Sequence, residues 1–211
     1  MFHDKEYWEN YYNRKTKIDI GFDNPSSFAI FINKQLSNNE SKLIELGCGN
    51  GRDSIFFSEN GKKVLAIDQC KNTTNILNKI NTNLTALDAD FTRLTSDLDF
   101  EPDIIYSRFT LHSINEDGED RTIKWVAETL KSNGLFCIEA RTILDPLCGK
   151  GKSEGRNVWY TDHYRRFVVA KEIKDKLTSK GFIIEYFIED NNLSIYKDDN
   201  PVVLRIIARK Q

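Results

Sequence analysis

The stretch Leu43-Ile44-Glu45-Leu46-Gly47-Cys48-Gly49-Asn50-Gly51-Arg52-Asp53 reads as a short strand that passes through a glycine-rich turn into a helix. Glycine turns sharply and carries no Cβ to keep a ligand off the main chain. A second apolar run, Val64-Leu65-Ala66-Ile67, ends at Asp68. That acid lies about 20 positions beyond the turn, where a ribose-binding carboxylate belongs in folds of this kind. A lone Gly-x-Gly-x-Gly is often only a tight turn. Strand before, helix after, Glu45 and Asp68 coincide here, and together they indicate a nucleoside cofactor. Spacing narrows the choice. A nicotinamide or flavin fingerprint, Gly-x-Gly-x-x-Gly, needs glycine where Arg52 stands. Nor is Gly151-Lys152-Ser153 a phosphate-binding loop, because Pro146 occupies the place of its leading glycine.

Strands and helices alternate outward from this turn. Asp53 to Glu59 reads as a helix stopped by Asn60-Gly61, Thr73 to Ile80 as a second, and Glu119 to Leu130 as a third stopped by Asn133-Gly134. Leu84 to Leu87, Asp103 to Ser107 and Leu135 to Ala140 read as the third, fourth and fifth strands. Val169, Ile173 and Leu177 mark a further helix, before strands at Phe182 to Ile188 and Val202 to Ala208. Too few residues join these last two for a crossover helix, so they are expected to pair antiparallel. Upstream, Trp8, Tyr11 and Tyr12 share one helical face, and Asn24-Pro25 reads as the cap and first position of the next helix. Alternation on this scale implies a parallel sheet covered on both faces.

Length and charge bound the rest. A chain of 211 residues with 39% apolar content suits one domain, large enough to bury roughly 70% of its unfolded surface. Thirty basic against 32 acidic residues leave no general field for nucleic acid or anionic membrane. No stretch approaches a membrane span, and Met1 to Glu6 is polar, so a cytoplasmic protein is expected. Cys48, Cys70, Cys137 and Cys148 form no Cys-x-x-Cys pair and only three histidines accompany them, so no metal site is expected.

The glycine turn with its two acids resembles the first two motifs of class I S-adenosylmethionine-dependent methyltransferases, and the likeness runs over nearly the whole chain. It implies a Rossmann-like α/β fold with a seven-stranded, mostly parallel sheet and an antiparallel last strand. It also implies S-adenosylmethionine as cofactor. By position, Glu45, Gly47, Cys48, Gly49, Asn50, Gly51 and Asp53 would line the methionine end, and Asp68 with Gln69 would meet the ribose. Asp90 and Phe91 would meet the adenine, and Ser107, Arg108 and Phe109 would form a lip after the fourth strand. Residues 1–211 are expected to form this single domain, with 1–40 as a helical cap.

Residues 141–168 form a loop of little periodicity, long enough to be a lid. Arg141, Lys150, Lys152, Arg156, Arg165 and Arg166 give it six cations against three acids, alongside Tyr160 and Tyr164. Guanidinium forks suit phosphate or carboxylate oxygens, so an anionic small-molecule acceptor is expected, bound by Arg141, Lys150, Tyr160, Tyr164, Arg165 and Arg166. His112 and His163 are candidates to take a hydroxyl proton, and Arg108 stands beside them as a third catalytic candidate. Ser107-Arg108-Phe109-Thr110 departs from the Asn/Asp-Pro-Pro-aromatic run usual in enzymes that methylate base amino groups. Finally, Tyr7-Trp8-x-x-Tyr11-Tyr12, Tyr106 to His112, Gly149-Lys150-Gly151 and His163 to Phe167 together resemble a bacterial subgroup linked to surface polysaccharides, including capsules with methyl phosphoramidate groups. In that light the acceptor would be a phosphorylated or nucleotide-linked precursor, O-methylated, with Trp8 and Tyr12 capping the cofactor. Two competing readings remain: a cofactor-binding partner or sensor without turnover, and a nucleic-acid methyltransferase using the basic loop. Oligomeric state is not legible.

Overall fold

The computed structural model describes residues 5–14, 24–36, 40–80, 83–95 and 97–211. Helices α1 (Lys5–Arg14) and α2 (Ser27–Gln35) lead into β1 (Lys42–Leu46), α3 (Arg52–Glu59), β2 (Lys63–Asp68), α4 (Lys71–Leu77) and β3 (Leu84–Asp88). The chain continues through β4 (Ile104–Arg108), α5 (Glu116–Thr129) and β5 (Leu135–Arg141). Three short strands follow: β6 (Lys152–Gly155), β7 (Val158–Tyr160) and β8 (Tyr164–Arg166). Helix α6 (Ala170–Ser179) and strands β9 (Phe182–Asp190) and β10 (Val203–Lys210) complete it.

The main sheet has seven strands in the order β3-β2-β1-β4-β5-β10-β9. Only β10 is reversed, antiparallel to both β5 and β9, while the other pairs are parallel. The expected architecture is therefore the observed one. Strand order turns back between β1 and β4, and ligands of open α/β sheets bind at such a switch point, beyond the carboxyl ends of the strands.

Both faces of the sheet are covered, which explains the unbroken apolar runs of β1, β2 and β4. On one face Ile44, Ile67, Ile105 and Phe136 pack with Ile123 and Val126 of α5 and Ile173 and Leu177 of α6. On the other, Leu43, Val64, Ala66 and Tyr106 pack with Phe28 and Ile32 of α2, Phe57 of α3 and Leu77 of α4. Helix α2, inside the region 1–40 expected to be a cap, is thus a core helix.

Two local expectations need correction. The cap of α2 is Ser26 and not Asn24: its side chain accepts from Ala29 N–H, and Ser27 begins the helix. The segment 141–168 is not wholly an irregular loop: its second half carries a three-stranded antiparallel sheet, β6-β7-β8. A two-residue turn at Arg156-Asn157 joins the paired Gly155 and Val158, with Asn157 at φ 58°. Every residue of β6 is exposed, so no apolar alternation marked it.

Candidate functional site

Gly47, Gly49 and Gly51 have φ of 65°, 54° and 75°. These are left-handed values that other residues adopt at a cost. A Cβ on Gly47 would lie 2.4 Å from Thr110 Cγ2, and one on Gly51 would lie 2.2 Å from Leu77 Cδ2. Sequence and packing thus demand the same residue twice over. At the end of β2, Asp68 Oδ2 accepts from Gly49 N–H at 2.8 Å and Oδ1 from Cys70 N–H at 2.9 Å. Burial raises its pKa, and these two bonds oppose the rise. The carboxylate's acceptor capacity is not exhausted by these bonds, as ribose hydroxyls require. The Phe91 ring approaches Gly47 within 3.5 Å of the ideal Cβ position. Gln69 is half-buried beside Asp68.

This backbone cradle, with a carboxylate fixed at its edge, fits an S-adenosyl nucleoside. Gly47, Gly49, Asp68, Gln69 and Phe91 would hold it, and the half-buried Asn50 is in reach of the same turn.

Other candidates are placed differently. Asp53 is buried, and its carboxylate accepts from Ser26 N–H at 2.7 Å, Ser26 Oγ at 2.6 Å and Tyr106 Oη at 2.8 Å. It ties α2 and β4 to α3 and has no direction left for a cofactor. Ser107 is fully buried, with its hydroxyl against Thr110 Oγ1. Asp90 Oδ1 accepts from both the N–H and the hydroxyl of Thr92, capping a short turn. Cys48 is buried, with Sγ turned to Gly49 O at 3.8 Å. Glu45 is buried as well and bonded by Ser54 Oγ; burial first, and then Asp53, push its pKa up to about 8. It acts through Ser54 and α3.

On the acceptor side, Phe109, His112 and His163 come together. His112 is 5% exposed, and Arg141 N–H points at its Nδ1 at 3.4 Å. Burial, then Arg141, Arg165, His163 and Arg108, hold its pKa well below the usual value, so the ring is neutral. With Nδ1 accepting, the proton is assigned to Nε2. In that tautomer the free edge of His112 donates a hydrogen bond, and proton removal through it requires the Arg141 contact to break. His163 stacks on Tyr7 with centroids 4.8 Å apart and meets Trp8 edge-on at 5.3 Å. Its Nδ1 lies 3.0 Å from Asp162 Oδ2. Helix α1 therefore bridges α4 and the β7–β8 turn. The side chain of Tyr12 lies outside the described residues.

The cations of 141–168 are mostly committed. Arg141 pairs with Asp145 and Asp199, Lys152 with Glu154, Arg156 with Glu172, Arg165 with Asp162 and Arg166 with Glu119. Arg166 also donates to Ile114 O and Leu111 O, so it fastens β8 to the loop before α5. Of the six expected cations, this leaves Lys150 exposed and with no carboxylate partner among the described residues; Tyr160 is exposed and Tyr164 buried. The acids that neutralise the loop lie partly outside it, beyond the reach of a local charge count. Arg108 donates from Nε to Glu139 Oε1 at 2.9 Å, and Glu139 Oε2 accepts from Arg205 Nε at 2.7 Å. Glu139 was not among the residues expected to act, and Phe109 was expected only as part of the lip after the fourth strand. A charged residue within the apolar run Phe136-Cys137-Ile138-Glu139-Ala140 is the signal that points to the first. Nothing in the sequence points to the φ of 57° at Phe109.

Among the described residues no helix is long and apolar enough to cross a membrane. Residues 24–185 match the family model described as a methyltransferase domain. The chain is 27% identical over 138 residues to a cypemycin N-terminal methyltransferase of a Streptomyces species, covering 64% of this chain and 55% of that relative. The match thus spans about half the length of that curated relative. A TehB-like S-adenosylmethionine-dependent methyltransferase of Corynebacterium glutamicum superposes with a TM-score of 0.70 at 17% identity, over 99% of this chain and 100% of that one. The 1,6-didemethyltoxoflavin-N1-methyltransferase of Burkholderia thailandensis, solved with S-adenosylhomocysteine, gives 0.71 at 15% identity, over 98% and 86%.

Proposed function

The chain belongs to the methyltransferase-domain family, in its S-adenosylmethionine-dependent class, and from that premise we propose that it methylates an oxygen of a small anionic acceptor held beneath α1. One observation carries the acceptor reading: the guanidiniums of Arg108 and Arg141 lie 4.3 Å and 5.7 Å from the Phe109 ring, which itself meets His112. Burial first, and then Arg141, Arg165, His163 and Arg108, lower the His112 pKa, and the arginine part of that effect favours a negative group beside the ring. The counterions of Arg141 and Arg165 include Asp199 and Asp162, whose side chains are 45% and 60% exposed. An incoming phosphate or carboxylate can take their place, whereas the buried Asp145 stays with Arg141.

S-adenosylmethionine, when bound, supplies an electrophilic methyl group. The chain's own contribution is alignment and exclusion of water, the larger effects in an in-line displacement. Helix α1, through Tyr7, Trp8 and His163, closes the cleft. Phe109 and the His112 Nε2–H orient the acceptor. An acceptor oxygen that is already ionised needs no base, which accords with a histidine held neutral and donating. The resemblance of the sequence to the surface-polysaccharide subgroup supports a phosphorylated or nucleotide-linked precursor as that acceptor.

Calorimetric titration with S-adenosylmethionine, S-adenosylhomocysteine and NAD tests the cofactor. The first two should bind at micromolar concentration and NAD not at all, and Asp68→Ala should weaken binding by more than tenfold. Transfer of labelled methyl to nucleotide-linked sugars, compared with the same sugars unphosphorylated, tests the acceptor. Equal turnover of both sets sinks the anionic reading. Binding to polynucleotides that weakens steeply with salt would favour the nucleic-acid alternative instead.

A further inference from the structure

Glu139 is fully buried on β5, and its carboxylate is divided between two guanidiniums: Oε1 serves Arg108 and Oε2 serves Arg205. Arg205 is otherwise absorbed, donating to Leu193 O at 2.6 Å and Ser27 Oγ at 2.8 Å. Arg108 is not. Its Nη2 donates to Ser194 Oγ at 3.0 Å, and Nη1 has no hydrogen-bond partner among the described residues. Its side chain is 19% exposed and so is partly open to solvent. Of the other nearby acids, Asp53 is satisfied by Ser26, Tyr106 and Arg52, and Glu45 is bonded by Ser54. The Glu139 carboxylate is thus shared by two guanidiniums, and Nη1 of Arg108 is the end left for a further acceptor.

The adjoining residue is held in an unusual way. Phe109 has a left-handed φ of 57°, rare for a bulky side chain, and such outliers persist only where the surroundings over-determine them. Here Phe109 N–H donates to Glu139 O at 2.8 Å, and the ring lies under the Arg108 guanidinium at 4.3 Å and within 5.7 Å of that of Arg141. Its edge meets His112 at 5.2 Å. The strained backbone aims a flat apolar wall beside an available N–H pair.

We propose that Arg108 Nη1, backed by the Phe109 ring, is the subsite that takes one anionic oxygen of the acceptor, and that Glu139 is its positioning residue. This rests on the anionic reading above and names the side chain that carries it. Nε and Nη2 face inward, so the contact is through Nη1, and phosphate and carboxylate oxygens are both suited to it.

The test uses the full chain saturated with S-adenosylhomocysteine, titrated with inorganic phosphate and, separately, acetate at constant ionic strength, with guanidinium resonances followed by NMR. Saturable phosphate binding should move the Arg108 signal, fall at least tenfold in affinity in Arg108→Gln and only about threefold in Arg108→Lys. S-adenosylhomocysteine affinity should stay within threefold in both. Response to phosphate alone identifies a phosphorylated acceptor, and response to acetate alone a carboxylate. Glu139→Gln should shift the Arg108 resonance and weaken phosphate binding while S-adenosylhomocysteine affinity is kept. An equal fall in both affinities marks Glu139 as merely structural and overturns its assigned role. The subsite itself is overturned by unchanged phosphate affinity in Arg108→Gln, or by wild-type protein that responds to neither anion. Wild-type protein that fails to bind S-adenosylhomocysteine counts against the cofactor reading instead, and the phosphate titration on that sample still decides the subsite.

Discussion

At the scale of single residues, the sequence names the groups and the fold decides which way they point. Asp68 and the three glycines were legible because strand ends and left-handed turns leave a pattern in the chain. Asp53 and Ser107 lie as close to the turn or to the lip, yet both turn inward, and nothing in a sequence records that direction. Glu45 shows what inward placement does. Its folded pKa is raised from 4.5 to about 8, chiefly by burial and next by Asp53. The folded state therefore binds this proton more tightly than the unfolded state does. The resulting stability is complete below about pH 4.5, declines as pH rises and is gone above about pH 8. Within the window the slope reaches roughly 1.4 kcal/mol per pH unit. Asp68 is shifted in the same direction, so the wild-type curve mixes the two. The difference between wild type and Glu45→Gln isolates Glu45. Denaturant midpoints measured from pH 5 to pH 8.5 should fall less steeply in the variant. Parallel curves would mean that Glu45 is ionised throughout.

Elements extend this from one proton to a junction. Helix α2 begins at Ser26, whose Oγ accepts from Ala29 N–H at 3.0 Å while donating to Asp53 Oδ2 at 2.6 Å. One hydroxyl thus caps a helix and completes the buried bond set that joins α2, α3 and β4. Ser26→Ala should cost about 2 kcal/mol, the sum of a lost cap and a lost bond to a buried carboxylate. Ser26→Asp is the sharper comparison. Aspartate caps helices as well as serine does, but here a second carboxylate would face Asp53. It should destabilise more than alanine in urea unfolding, and recovery of wild-type stability would mean that the Asp53 link contributes nothing. The cap was misread at Asn24 because Asn-Pro imitates a helix start, and the deciding partner, Asp53, is distant in sequence. Helices α5 and α6 were legible from their apolar stripes, although α5 starts three residues before the position expected, at Glu116, with Asn115 capping it through Gly118 N–H. The strands β6, β7 and β8 were not, since three or four residues per strand with β6 wholly exposed give periodicity nothing to act on.

Across the whole molecule, the cofactor end and the acceptor end are separately built. The seven-stranded sheet carries the glycine turn and Asp68, and its core is complete without β6 and β7, apart from Val158 at the margin. The small sheet joins it through Val168 N–H to Arg141 O and Ile143 N–H to Val168 O, and through the fastening of Arg166. Because Lys152 pairs with Tyr160, the ends of the β6–β7 hairpin are already adjacent. Replacing residues 152–160 by a two-residue glycine-serine turn should therefore leave β8, Arg166 and the main sheet in place. Hydrogen exchange in β1, β4 and β5 should be unchanged, and S-adenosylhomocysteine affinity should stay within about threefold. Methyl transfer to any acceptor found by screening should fall by more than a hundredfold, because His163 and the floor beneath α1 lose the wall that orients them. If transfer survives, the hairpin is an ornament and the acceptor is held by Phe109, His112 and α1 alone. If cofactor affinity falls with it, the two ends are not separable, and closure of the small sheet is part of how the glycine turn grips its ligand.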